Sequence, residues 1–248
     1  MMQQDQATAD PERGGDWNFN GDAFSDKAVR QRFIRKVYGI LTCQLALTFG
    51  IIMIFTHVES IRQFAQDNRW LTWVAFVPLI ILMIALVCCE KVRRKTPANY
   101  LCLGLFTLLM GFMLGVLTAH FKIESIWIAV AITMGLFFVL TLFAFVAPCD
   151  FTKIPWWVLL GLILGLFIAI IVLRYALPIT KWTLIGFGIA GGLIFSLYIV
   201  YDTQLMLGGK HKYALDPEEY VFAALSLYLD VINLFIYVLL GVGGANNG

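Results

Sequence analysis

Charge is scarce in this sequence. Lys, Arg, Asp and Glu make up 14% of its 248 residues, against about 25% in soluble proteins. Apolar residues make up 60%, and the mean hydropathy is +0.81. Such a chain cannot cover a globule with polar surface, so a bilayer is its natural solvent. The formal net charge of +2 is too small to carry a nucleic-acid interface. Cysteine is also sparse. Cys43, Cys88, Cys89, Cys102 and Cys149 are an odd set in or beside apolar runs, which is not a disulfide framework. None pairs with a histidine at metal-ligand spacing. Cys88 and Cys89 stand beside Lys91, Arg93 and Arg94, a setting that suits palmitoylation. Ordinary packing of small apolar residues is the preferred reading for them. No Asn-x-Ser/Thr sequon and no Lys-Asp-Glu-Leu signal occur. The first 31 residues hold no apolar core of a signal peptide, so the first apolar span is expected to target the chain.

Long apolar runs dominate what is present. A hydrocarbon core of ~30 Å needs about 20 apolar residues per helix. Seven segments approach that length: 34–56, 70–89, 99–119, 125–147, 156–177, 181–207 and 219–243. They predict an all-α membrane protein, a seven-helix bundle over 27–243. An acidic, disordered tail over 1–26 precedes it, and a short tail over 244–248 follows. Ser25 can cap a basic amphipathic start to the first helix. Of the 18 basic residues, only Arg62, Arg69, Lys122, Arg174 and Lys181 fall on segments that are outer if the N-terminus is inner. The positive-inside rule then places the N-terminus in the cytosol and, with seven crossings, the C-terminus in the lumen. Six crossings with a re-entrant last segment is the topological alternative. Gly111 and Gly115, Gly161 and Gly165, and Gly188, Gly192 and Ser196 recur at four-residue spacing, the pattern of close helix packing in lipid.

The acidic residues carry the functional argument. Of the 16, only Asp202 and Asp230 fall well inside apolar spans. A charge at mid-membrane costs at least ~2.5–3.5 kcal/mol on insertion scales. Such residues face the bundle interior and mark proton, ion or substrate sites more often than purely structural contacts. Ser226, Asp230, Asn233 and Tyr237 form one polar stripe on the last helix, and Tyr198 lies one turn from Asp202 on the segment before. Counted at 1.5 Å per residue, Asp202 lies about 8–10 Å and Asp230 about 12–16 Å from the inner helix ends. If the carboxyls meet, they titrate as a pair. With an Asn carbonyl they also suit calcium, which takes oxygen ligands. Arg93 is the basic residue at the nearest depth that can latch the pair. His57, His120 and His211 lie at span edges or in loops, where solvation is the usual state. Asp216 before Pro217 reads as an N-cap with proline at N1.

The stretch SLYIVYDTQLMLGGKHKYALDPEEYVFAALSLYLDVINLFIYVL, Ser196 to Leu239, resembles the transmembrane Bax-inhibitor-motif family. YDTQLMLG and DPEEYVFAALSLYLDVINLF resemble its lifeguard branch, which includes the glutamate-binding subunit of NMDA receptors. CDFT at Cys149–Thr152 and LFTLLMGFMLG at Leu105–Gly115 extend the likeness over most of residues 30–243. The resemblance implies a seven-helix fold, a pH-sensitive calcium leak from an intracellular store, and restraint of cell death. It implies that Asp202 and Asp230 form the pH sensor. It also implies an arginine latch near the end of the second helix, matched by Arg93 first and Arg94 second. The loop between the aspartates is longer than in bacterial relatives, and the tail lacks the proline- and glycine-rich stretch of many lifeguards.

Other classes fit less well. An intramembrane aspartyl protease matches at Tyr201–Asp202, but its Gly-x-Gly-Asp motif is replaced by Leu227-Tyr228-Leu229-Asp230 and its Pro-Ala-Leu run is missing. A seven-helix receptor lacks its motifs at Leu117–His120 and Asn233–Phe235. No enzyme is expected, and no resident cofactor beyond calcium as a bound or transported ion. Expected partners are the bilayer, calcium, protons and membrane proteins of cell-death or receptor signalling. The main rival is a scaffold that binds death-receptor or calcium-release proteins and transports nothing. The endoplasmic reticulum, Golgi and endolysosome are the favoured membranes, and the plasma membrane is also compatible.

Overall fold

A computed structural model describes residues 27–68, 70–89, 96–176, 180–208 and 215–246. Its elements are α1 (Lys27–His57), α2 (Glu59–Asp67), α3 (Leu71–Cys88), α4 (Ala98–Thr118), α5 (Ile123–Val146), α6 (Trp156–Ala176), α7 (Lys181–Leu207) and α8 (Tyr220–Asn246). Short 3-10 turns at Phe151–Lys153 and Pro217–Glu219 precede α6 and α8. Among the described residues there is no strand. In lipid, a helix satisfies every backbone polar group internally, which is why apolar runs of this length adopt it. Six helices, α1, α3, α4, α5, α7 and α8, are long and apolar enough to cross a membrane. α6 is apolar over Trp156–Val172 as well. The seven expected segments are therefore all helical, and six of them are candidate spans by length and hydropathy. Large apolar side chains stand on the surface, among them Trp73, Val146, Trp157 and Phe138, as a lipid-facing surface requires.

α8 is the central helix. It packs most extensively on α7 and also on α5, α1 and α4. Leu225, Leu227, Tyr228, Leu234 and Leu239 on it are almost completely buried. Close approach to α7 depends on glycine. A Cβ on Gly188 would lie 2.7 Å from the Gly241 Cα, and one on Gly191 would meet the Tyr237 ring. Gly111 and Gly115 admit Ile51 and Phe55 of α1 against α4 in the same way. Among the described residues, nothing lies within 4 Å of a Cβ built on Gly161 or Gly165, so close packing among these residues does not account for that pair.

The ends are tied by polar contacts that hydropathy does not register. Short α2 was not among the seven segments, because its nine residues carry too little apolar length. Its buried Ala65 packs beside Val116 and Ala119. From α2, Arg62 donates to the carbonyls of Ala119 and Phe121, and Gln66 to that of Ala119. These bonds satisfy carbonyls that the end of α4 leaves without intrahelical donors. Lys122 reaches the Asn246 carbonyl, and Asn246 donates to Ser125, so the end of α8 meets the start of α5 at that same end of the bundle. At the other end, Arg30 donates to the carbonyl of Leu207, the last residue of α7, where a cation also suits the helix dipole. Gly208 follows in a positive-φ conformation (φ 55°) that glycine adopts without steric cost. Thr180 and Thr183 form a reciprocal cap at the start of α7. The Asp216 carboxylate accepts from the Glu218 amide, with Pro217 at the first position of the turn, as the sequence predicts. The N-cap expected at Ser25 lies outside the described residues.

Candidate functional site

Asp202 sits five residues before the end of α7, and Asp230 near the middle of α8. The pairing of the two helices fixes their relation. Gly188 lies against Gly241, and Gly191 against Tyr237. In the antiparallel register set by those contacts, Ser226 is level with Asp202 and Asp230 with Tyr198. The aspartates are thus offset by about one turn, ~5.4 Å along the axis. Side-chain direction closes that offset. In every helix the Cα–Cβ bond tilts toward the N-terminus. In an antiparallel pair, Asp202 therefore leans toward the level of Asp230, and Asp230 leans back toward Asp202. The tilt brings the two carboxyls toward each other, within electrostatic range.

Ser226 completes the cluster. Its hydroxyl donates to Asp202 Oδ2 in a short bond. Asp230 is 6% exposed, and its Oδ2 has no hydrogen-bond partner among the described residues. Tyr198 lies within electrostatic range of both carboxyls, with its ring packed on Phe195. The rest of the predicted stripe does other things. Asn233 donates to the Leu229 carbonyl of its own helix, and Tyr237 stacks on Phe195. Arg93 and Arg94 lie outside the described residues, and so does His211. His57 and His120 sit against carbonyls of their own helices, those of Met53 and Val116.

The donor set limits what a cation would find. Two carboxyls and one hydroxyl supply fewer oxygens than the six to eight a calcium ion takes. No cluster of three or more His, Cys, Asp or Glu occurs among the described residues.

Gln204 is a residue the sequence reading passed over. It is buried, its amide donates to the Cys149 carbonyl, and its Oε1 accepts from the Phe151 amide. Asp150 caps the same turn through the Thr152 amide and hydroxyl. The CDFT and YDTQ motifs are therefore one structural unit. Lying two residues from Asp202, about 200° around the helix, Gln204 holds the opposite side of α7. Thr48 with Tyr228, and Gln44 with Thr107, are further buried pairs. Their signal was a hydroxyl or amide inside an apolar span, which attention to charge alone does not weigh.

A family model described as "Inhibitor of apoptosis-promoting Bax1" matches residues 30–247. The chain belongs to the Bax inhibitor family. It is similar to "Protein lifeguard 3" of Homo sapiens, 34% identical over 246 residues, which covers 98% of this chain and 76% of that protein. The Mus musculus protein of the same name is 33% identical over 237 residues, covering 94% and 75%. "Bax inhibitor 1" of Schizosaccharomyces pombe is 34% identical over 221 residues, covering 89% and 79%. Its long apolar helices make it a multi-pass membrane protein, and its relatives are named as lifeguard proteins or a Bax inhibitor rather than as enzymes. The match takes in α1 to α8, including both aspartates and the Gln204 unit.

Proposed function

We propose that this protein is a pH-sensitive calcium leak, or regulator of calcium homeostasis, that restrains apoptosis from an intracellular membrane. The endoplasmic reticulum, Golgi or endolysosome is the compartment, with seven crossings, a cytosolic N-terminus and a luminal C-terminus. The gate is the Asp202–Asp230 pair. What supports this reading is the convergence of two carboxyls from α7 and α8 at membrane depth. A carboxyl–carboxyl hydrogen bond needs a proton between them. Loss of that proton sets two charges side by side in a medium that screens them poorly. The pair then separates or takes up a cation. Ser226 steadies Asp202 and Tyr198 lines the approach; Asn233, which donates to the Leu229 carbonyl, and Tyr237, stacked on Phe195, stand further along α8. Arg93, or Arg94 as second choice, is the proposed latch on the charged pair.

Purified protein in calcium-loaded liposomes tests the reading. Wild type should release calcium at a rate that changes severalfold between mildly acidic and mildly alkaline pH. Asp202→Asn and Asp230→Asn each remove the titrating step and should flatten that profile. A pH response equally steep in both variants overturns the dyad as sensor. A second reading, a scaffold for death-receptor or calcium-release proteins, draws support from the small oxygen-donor set. Calcium-tight liposomes at every pH would decide for it.

A further inference from the structure

A second feature lies away from the aspartates. Helices α1 and α5 both pack on α8 but scarcely touch each other along their length. The space between them is a cavity of about 410 Å³, within the range of small-molecule sites. Its floor is Val231, Ile232 and Phe235 of α8. Tyr38–Phe137 and Phe49–Trp127 contacts bridge the two walls at its ends. Between these bridges, Thr42 and Ala46 of α1 and Met134 of α5 line the cavity and are exposed, so the mouth opens sideways. Both flanking helices are of membrane-spanning length, which puts hydrocarbon at that mouth.

We propose that this crevice holds an acyl chain of an anionic phospholipid whose headgroup sits on Arg35. Charge complementarity selects the occupant. Arg35 lies seven residues before Thr42, two turns along the same stripe of α1, and is exposed. It stands about 10 Å from the mouth along the axis, toward the helix end that also carries Arg30 and Arg32. Lys36 points elsewhere, onto the Tyr220 ring at 3.2 Å, and Arg30 donates to the Leu207 carbonyl. A basic residue next to an apolar slot between spanning helices is the chemistry that holds an acidic headgroup while the slot takes its chain. The bound chain bridges α1 to α5 over α8, the helix that carries Asp230.

Native mass spectrometry of delipidated full-length protein, titrated with phosphatidylglycerol or phosphatidylcholine of equal chain length, tests the assignment. Wild type should retain one phosphatidylglycerol with about fivefold preference, the share of one basic side chain at an anionic surface. Ala46→Trp and Met134→Trp block the mouth from opposite walls and should each abolish retention of both lipids. Both positions are exposed, and unchanged thermal unfolding certifies their fold. Arg35→Gln should remove the preference and keep the chain. Retention in both blocked variants overturns the site. Equal retention of the two lipids by wild type overturns the headgroup assignment.

Discussion

Asp202 and Gln204 are two residues apart on α7 and face opposite ways. The first engages Ser226 of α8, the second the backbone around Phe151. Together they fix the rotation of α7 about its own axis, which is the coordinate that brings Asp202 toward Asp230. Gln204→Leu removes a donor and an acceptor, leaving the Phe151 amide and the Cys149 carbonyl without those partners. Unpaired buried groups cost about 1–3 kcal/mol, and thermal unfolding in detergent should fall accordingly. Faster hydrogen exchange at the Phe151 amide than at helix amides would locate the loss in this turn. Tyr228→Phe strips Thr48 of its partner. Its expected cost is smaller, about 0.6 kcal/mol, the mean for hydrogen bonds between membrane helices.

Between elements, glycine decides how near helices come. At Gly188 the obstacle to a Cβ is backbone, the Gly241 Cα and N and the Tyr237 carbonyl. No rotamer change relieves it. Gly188→Ala should therefore part α7 from α8 and destabilise by about 1–3 kcal/mol, as overpacking does. Gly161→Ala meets open space, and its better helix propensity, worth up to about 1 kcal/mol, should leave stability equal or higher. Unfolding of both variants in one micelle system makes the comparison. The four-residue spacing is identical in the two cases, so spacing alone does not tell them apart; the neighbouring helix does. The same limit governs what else was legible. Span positions follow from hydropathy because lipid allows few other structures. Asp202 and Asp230 stood out because charge in such spans is costly. Their convergence depended on helix register and side-chain lean, which separate depth counts do not contain. The α2 clasp escaped because its information lies in three side chains, Arg62, Ala65 and Gln66, rather than in an apolar run.

At the scale of the whole molecule, the two ends of the bundle differ in chemistry. One gathers the start of α1 with Arg30, the end of α7 and the Lys36–Tyr220 contact. The other gathers α2, the α4–α5 turn and the end of α8. The start of α1 and the end of α8 thus lie at opposite ends of the bundle. Six helices are candidate spans by length and hydropathy, and the count of crossings turns on α6. Its 21 residues give ~31 Å of helix, enough for a hydrocarbon core of about 30 Å if the flanking Trp156 and Trp157 sit in the headgroup layer, where tryptophan is enriched. A flexible extension carrying an Asn-x-Thr sequon, joined after Gly248, reads this out, because the chain has no sequon of its own. Seven crossings with a cytosolic N-terminus place the extension in the lumen, and it should be glycosylated. The same extension joined before Met1 should stay unmodified. Modification at neither end would show that α6 does not cross, modification at the N-terminal end alone that the basic residues do not set the orientation, and modification at both ends that both expectations fail. Replacing Trp156 and Trp157 by alanine tests α6 directly. If those rings anchor it, the glycosylated fraction should fall while the other helices remain in place.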